Sequence, residues 1–124
     1  MAQVENSILH DIKQMLGQEW DDTTYDLDIR LIINSVFFNL NQIGVGPSEG
    51  FTIADENVLW DAYIGDNKNL EAVKTYIYIR TRLLFDPPTT GPLVTALEKQ
   101  ADKLEWTLMV EMDPVPAAPI LGEE

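Results

Sequence analysis

Apolar residues recur at helical spacing along most of this chain, and the clearest stretch is Asn69 to Pro88, N-L-E-A-V-K-T-Y-I-Y-I-R-T-R-L-L-F-D-P-P. At 100° per residue, Leu70, Val73, Tyr76, Ile77, Leu83 and Leu84 share one broad arc while Glu71, Lys74, Thr75, Tyr78 and Arg82 lie opposite, which predicts an amphipathic helix. Asn67 or Asn69 supplies its N-cap, and Asp86-Pro87-Pro88 stops it. Arg80 breaks the pattern by sitting within the apolar arc beside Val73, Ile77 and Leu84. A charge there needs a partner: an acid on another helix, water reached along its own stem, or a neighbouring subunit.

The same periodicity predicts the other elements. Ser7 to Gly17 reads as a short helix capped by Ser7, with Ile8, Ile12, Met15 and Leu16 on one side and Gly17 at its end. A second helix runs from about Thr24 to Ile43, capped by Thr23 or Thr24, with a main face of Tyr25, Ile29, Ile32, Ile33, Val36, Leu40 and Ile43. Leu27, Leu31 and Phe38 form a narrower stripe on its other side, so this helix is buried twice, inside the domain or against another copy. Asn34, Asn39 and Asn41 are weak helix formers, so packing rather than propensity must hold it.

Gly44 to Gly50 opens a loop, and a short helix from Asn57 to Ile64, ended by Gly65, presents Val58, Leu59, Trp60, Tyr63 and Ile64 to the core as a lid. A last helix starts near Pro92 or Leu93, with a stripe of Leu93, Leu97, Gln100, Ala101, Leu104 and Leu108. Trp106, Met109 and Val110 fall off that stripe and leave apolar surface to cover. From Asp113 onward the prolines 114, 116 and 119 forbid a helix and predict an extended tail. The expected architecture is all-α: a small bundle of about five helices with a long central helix, residues 1–112, followed by a Pro-rich segment, 113–124.

Composition narrows the possible functions. A chain of 124 residues, 45% hydrophobic, fits one domain, and no apolar run reaches the roughly 20 residues of a membrane span. The N-terminus lacks the basic start and apolar segment of a secretory signal, so the expected location is the cytoplasm in which the chain is made. Without cysteine there is no disulfide, thiolate metal site or cysteine nucleophile. Acids outnumber bases 21 to 8, and no Lys or Arg occurs between Arg30 and Lys68, whereas Glu49, Asp55, Glu56, Asp61 and Asp66 do. Such a surface does not attract DNA; it gives solubility or repels something specific.

No active site is legible. His10, the one histidine, has no second histidine or placed serine with it and reads as a surface residue. The acids of 19–28 do not match a calcium loop, and Gly44-Val45-Gly46-Pro47-Ser48-Glu49-Gly50 departs from a phosphate loop in spacing, carries Glu49 and lacks lysine. No enzyme, cofactor or metal is expected.

Three segments carry a resemblance: N-S-V-F-F-N-L-N-Q-I-G-V-G-P at 34–47, G-D-N-K-N-L-E-A-V-K-T-Y-I-Y-I-R-T-R-L-L-F-D-P-P at 65–88 and E-W-T-L at 105–108. Together they make the chain, over about residues 7–112, similar to the head–tail connector proteins of long-tailed bacteriophages, the head completion adaptors beneath the portal. The resemblance implies a compact helical virion subunit, made in the host cytoplasm, that docks on the portal protein as a twelve-fold ring. It implies a further contact to a tail-proximal stopper or tail completion protein, and a channel that DNA traverses without specific binding. On that reading Leu27, Leu31, Phe38 and Arg80 meet neighbouring copies, and Trp106, Met109, Val110, Pro114, Pro116 and Pro119 dock on portal or tail. Glu49, Asp55, Glu56, Asp61 and Asp66 line the channel. The competing reading is an acidic phage-encoded module that mimics DNA and inhibits a host DNA-binding protein.

Overall fold

A computed structural model describes residues 3–63 and 69–112, with side chains through Val110. It has five helices: α1 (Ile8–Met15), α2 (Asp26–Gln42), α3 (Trp60–Tyr63), α4 (Leu70–Phe85) and α5 (Gly91–Met112). Among the described residues there is no strand, only an isolated bridge between Ser7 and Leu59. The Pro-rich segment from 113 lies outside the described residues, as do residues 64–68.

α4 is the central element, packed against α2 on one side, α5 on another, and touched by α1. Its burial follows from its periodicity: Val73, Ile77 and Thr81 recur along one side, Tyr76, Ile79 and part-buried Leu83 along a second. Leu84 belongs to the arc by angle yet stands exposed, because it lies in the last turn before the chain bends at Asp86. Thr81 Oγ1 is buried with no hydrogen-bond partner among the described residues. Thr81→Val, which removes the unpaired hydroxyl at constant shape, is therefore expected to stabilise the fold by about 1 kcal/mol, read as a raised denaturation midpoint.

α1 is buried nearly all round. Ser7 Oγ accepts from the His10 amide at 3.2 Å as N-cap, and Ile8, Leu9, His10, Ile12 and Lys13 are all buried. The expected inner residue Met15 is instead exposed, since it occupies the final turn. α1 is tied to the start of α3 by backbone bonds, Ile8 N–H to Val58 O at 3.2 Å and Trp60 N–H to Asn6 O at 3.0 Å. Trp60, within the core, donates Nε1–H to Asp11 at 2.7 Å, and the Lys74 ammonium stands 5.2 Å over its ring.

α2 begins at Asp26, and neither Thr23 nor Thr24 caps it. Thr24 N–H instead donates to Asp22 Oδ1 at 3.0 Å, a local turn that uses the acid before the helix can use the hydroxyl. The buried face of α2 is Ile29, Ile33, Val36, Phe37 and Leu40; Phe37 meets Phe51 and Tyr63, with ring centroids 5.0 and 4.7 Å away. On α5 the inward stripe is narrower than expected: Ala101 and Leu108 are buried, Leu97 and Leu104 partly so, while Leu93 and Gln100 are exposed. A helix packed chiefly on α4 can cover only that much.

Candidate functional site

The asparagines of α2 have a structural task that their poor helix propensity conceals. Asn34 donates Nδ2–H to Ile53 O at 3.0 Å and accepts from Ile53 N–H at 2.7 Å, and Asn41 donates to Pro47 O at 3.0 Å. A side-chain amide reproduces a backbone pairing, so these two residues clamp the loop 44–56 along α2 without a strand. The clamp holds Asp55 and Glu56 beside Leu27 and Arg30 at the N-terminal end of the helix, and Glu49 beside Phe38 at the other.

Between these ends, Leu27, Leu31 and Phe38 project outward, Phe38 with 64% of its surface exposed. Of the two coverings expected from the sequence, burial inside the domain does not occur. Trp106, Met109 and Val110 are likewise exposed on the last turns of α5, Trp106 at 63%. Glu49, Asp55 and Asp61 are exposed and Glu56 is half-buried; Asp66, Pro114, Pro116 and Pro119 lie outside the described residues.

Arg80 finds acids on another helix of its own chain. Its guanidinium lies 3.0 Å from Asp102 and 4.0 Å from Glu105, and its Nε–H donates to the Tyr76 hydroxyl at 3.3 Å, which in turn donates to Glu105 at 2.9 Å. Burial works against the Arg80 charge, but the bond to Tyr76 and the two acids outweigh it and raise its pKa. Burial, first among several influences, also raises that of the Tyr76 phenol. The network crosses from α4 to α5, whereas Arg82 only donates to Tyr78 on its own helix at 3.1 Å. Arg80→Ala should therefore cost about 1–2 kcal/mol and Arg82→Ala under about 1, since Asp102 is exposed and water screens part of the pair. Thermal melts of the two variants compare them directly; equal melts would show that the α4–α5 network contributes nothing.

His10, expected at the surface, is only 5% exposed. Its Nδ1 accepts from Val4 N–H at 3.3 Å, and its ring meets Trp20 edge-on at 5.7 Å, on the wall of a hollow of about 500 Å³ shared with Asp21, Asp26 and Glu56. The segment joining α1 to α2 folds back over it, which periodicity within α1 could not show. Lys13 is the residue that sequence reasoning missed. It is 1% exposed, donates to the carbonyls of Trp20 and Asp22 at 3.0 and 2.8 Å, and pairs with Asp26 at 2.7 Å. The run of acids at 19–28 immediately after it was the available signal.

Among the described residues no group of three or more His, Cys, Asp or Glu is arranged to hold a metal, and no helix is long and apolar enough to cross a membrane. What the surface does offer is two unpartnered helix faces and a clamped acidic loop, the features of an all-helical assembly module. A family model described as phage connector protein matches residues 8–115. The chain belongs to that family, and membership points to a structural head–tail connector component of a phage virion rather than an enzyme. No curated protein and no solved structure gives a significant match.

Proposed function

We propose that the chain is a head completion adaptor that docks as a ring on the portal, extends the DNA channel and offers its far side to a tail-proximal stopper or tail completion protein. The family match over residues 8–115 carries this reading. The exposed stripe of Leu27, Leu31 and Phe38 supports it, because an apolar helix face left to water suits a neighbouring copy. Capture of the portal protein with the tagged chain from infected cells tests it; particles that join heads to tails normally without the chain would end it.

On this reading Glu49, Asp55, Glu56 and Asp61 face the bore, and Met109 is available to portal or tail components. Duplex DNA carries about one charge per 1.7 Å of axis, so a basic wall would hold it through many phosphates, whereas an acidic wall lets it slide. A ring repeats each acid at one height and focuses the field into the bore. Glu49→Lys/Asp61→Lys is expected to slow DNA release from assembled particles several-fold, most at low salt where screening is weakest. Unchanged release kinetics in such particles would remove these acids from the channel wall.

A further inference from the structure

The outer faces of α2 and α5 are complementary. At 100° per residue, Lys99, Lys103, Trp106 and Val110 fall within about 60° of one another, opposite the buried Ala101 and Leu108. The spacing of four, three and four residues makes this a straight seam along α5 with cations first and apolar residues after. Lys99 and Lys103 are exposed and, among the described residues, have no ion pair; Asp102 on the same helix is engaged by Arg80. In a chain of net charge −13, two adjacent free cations are a local exception.

The outer face of α2 runs in the same order. Its N-terminal end is acidic on balance: Asp28 is on the face, Asp55 and Glu56 outnumber the half-buried Arg30 beside Leu27, and exposed Asp21 and Asp22 lie just before the helix. Its other end carries Phe38, with Glu49 the acid adjoining it, and the apolar surface reaches back through Leu31 to Leu27 among the acids. Asp28 to Phe38 spans about 15 Å of helix and Lys99 to Val110 about 16 Å, so with Lys99 level with Asp28, Val110 comes level with Phe38 and Trp106 between Leu31 and Phe38. Antiparallel docking would set both lysines against the apolar end and Trp106 and Val110 against the acids.

We infer that α5 of one copy packs parallel to α2 of the next, with Lys99 and Lys103 toward Asp28 and its acidic surroundings, and Trp106 and Val110 on Leu31 and Phe38. This deepens the adaptor reading, on which it rests for the presence of neighbouring copies. Because the two faces differ, the contact is heterologous: each copy uses α5 toward one neighbour and α2 toward the other, and the association closes into a ring or continues as a chain. The net charge keeps the contact weak between free subunits, so the test must trap it.

The absence of native cysteine makes trapping clean. The full-length chain carrying Phe38→Cys is mixed with the chain carrying Val110→Cys at high concentration under mild oxidation, after melts show that both fold. The mixed 38–110 disulfide is expected at about ten times the yield of either homodimer, and of the mixed product between Phe38→Cys and Ala96→Cys, which reports the antiparallel alternative. Lys99→Glu/Lys103→Glu on the Val110→Cys chain should lower the yield about tenfold or more, and Asp28→Lys on the Phe38→Cys chain should restore much of it. A dominant 38–38 product, a dominant 38–96 product, no product above background, or indifference to charge reversal each overturns the pairing. Portal capture by the unmodified chain is read separately. Capture without the disulfide retires the pairing and leaves the adaptor reading, while the disulfide without capture does the reverse.

Discussion

Lys13→Met is expected to lower the stability of the chain by about 3 kcal/mol and its melting temperature by about 10 °C or more. The replacement keeps the length and much of the volume of the side chain, so the loss is one of bonding rather than packing. Three oxygens converge on Lys13 Nζ, the carbonyls of Trp20 and Asp22 and the carboxylate of Asp26, and the last is an ion pair rather than a directed hydrogen bond. Removing the ammonium strands all of them beside a thioether that offers no hydrogen. Asp26 is 28% exposed in its side chain and recovers some hydration, so Asp26→Asn should cost only about 1 kcal/mol. Lys74→Met is the control, because Lys74 stands 3.8 Å from Asp11 and keeps partial access to water. Chemical denaturation of the three variants separates them. If Lys13→Met melts with Lys74→Met, the segment 16–25 is not held by this lysine, and the acids it carries toward the N-terminus of α2 have no fixed place.

That lysine shows where sequence reading stops. The helices were legible because their apolar residues recur with one period and their ends carry Ser7, Gly17 and Asp86-Pro87-Pro88, each a local cause. The outward stripes of α2 and α5 were legible for the same reason, as apolar residues that the period places away from the core. The burial of Lys13 and His10 depends on a non-helical segment folding back across α1, a contact between elements that no single period encodes. The position of Arg80 on the apolar arc demands a partner, but only the packing of α5 beside α4 puts Asp102 and Glu105 there. Asn34 and Asn41 are poor helix formers by propensity, and their value as clamps appears only once the loop lies along the helix.

Gly46→Ala should cost about 3 kcal/mol or more, well above Gly44→Ala or Gly50→Ala at about 1–2. All three glycines have positive φ, between 86° and 94°, a conformation that penalises any Cβ by a similar amount. They differ in what the new methyl meets: at Gly44 and Gly50 nothing lies within 4 Å, whereas at Gly46 it would run into the Tyr63 ring. That ring cannot swing aside. It is packed against Phe37 and Phe51 at 4.7 and 5.0 Å, its hydroxyl donates to Val45 O at 3.4 Å, and burial pushes its phenol well above the usual range. The strain must move either the aromatic cluster or the turn 44–47, and the turn begins the loop that carries Glu49 and Asp55. Gly46→Ala should therefore loosen that loop as well as destabilise the fold, seen as faster amide exchange at Ile53, whose N–H is held by Asn34. Shortening the obstacle distinguishes ring contact from backbone strain. In a Tyr63→Leu background the same Gly46→Ala change should fall to the cost seen at Gly44 and Gly50. A cost that stays at 3 kcal/mol or more there would place the whole penalty in the backbone and leave Tyr63 without a part in shaping the turn.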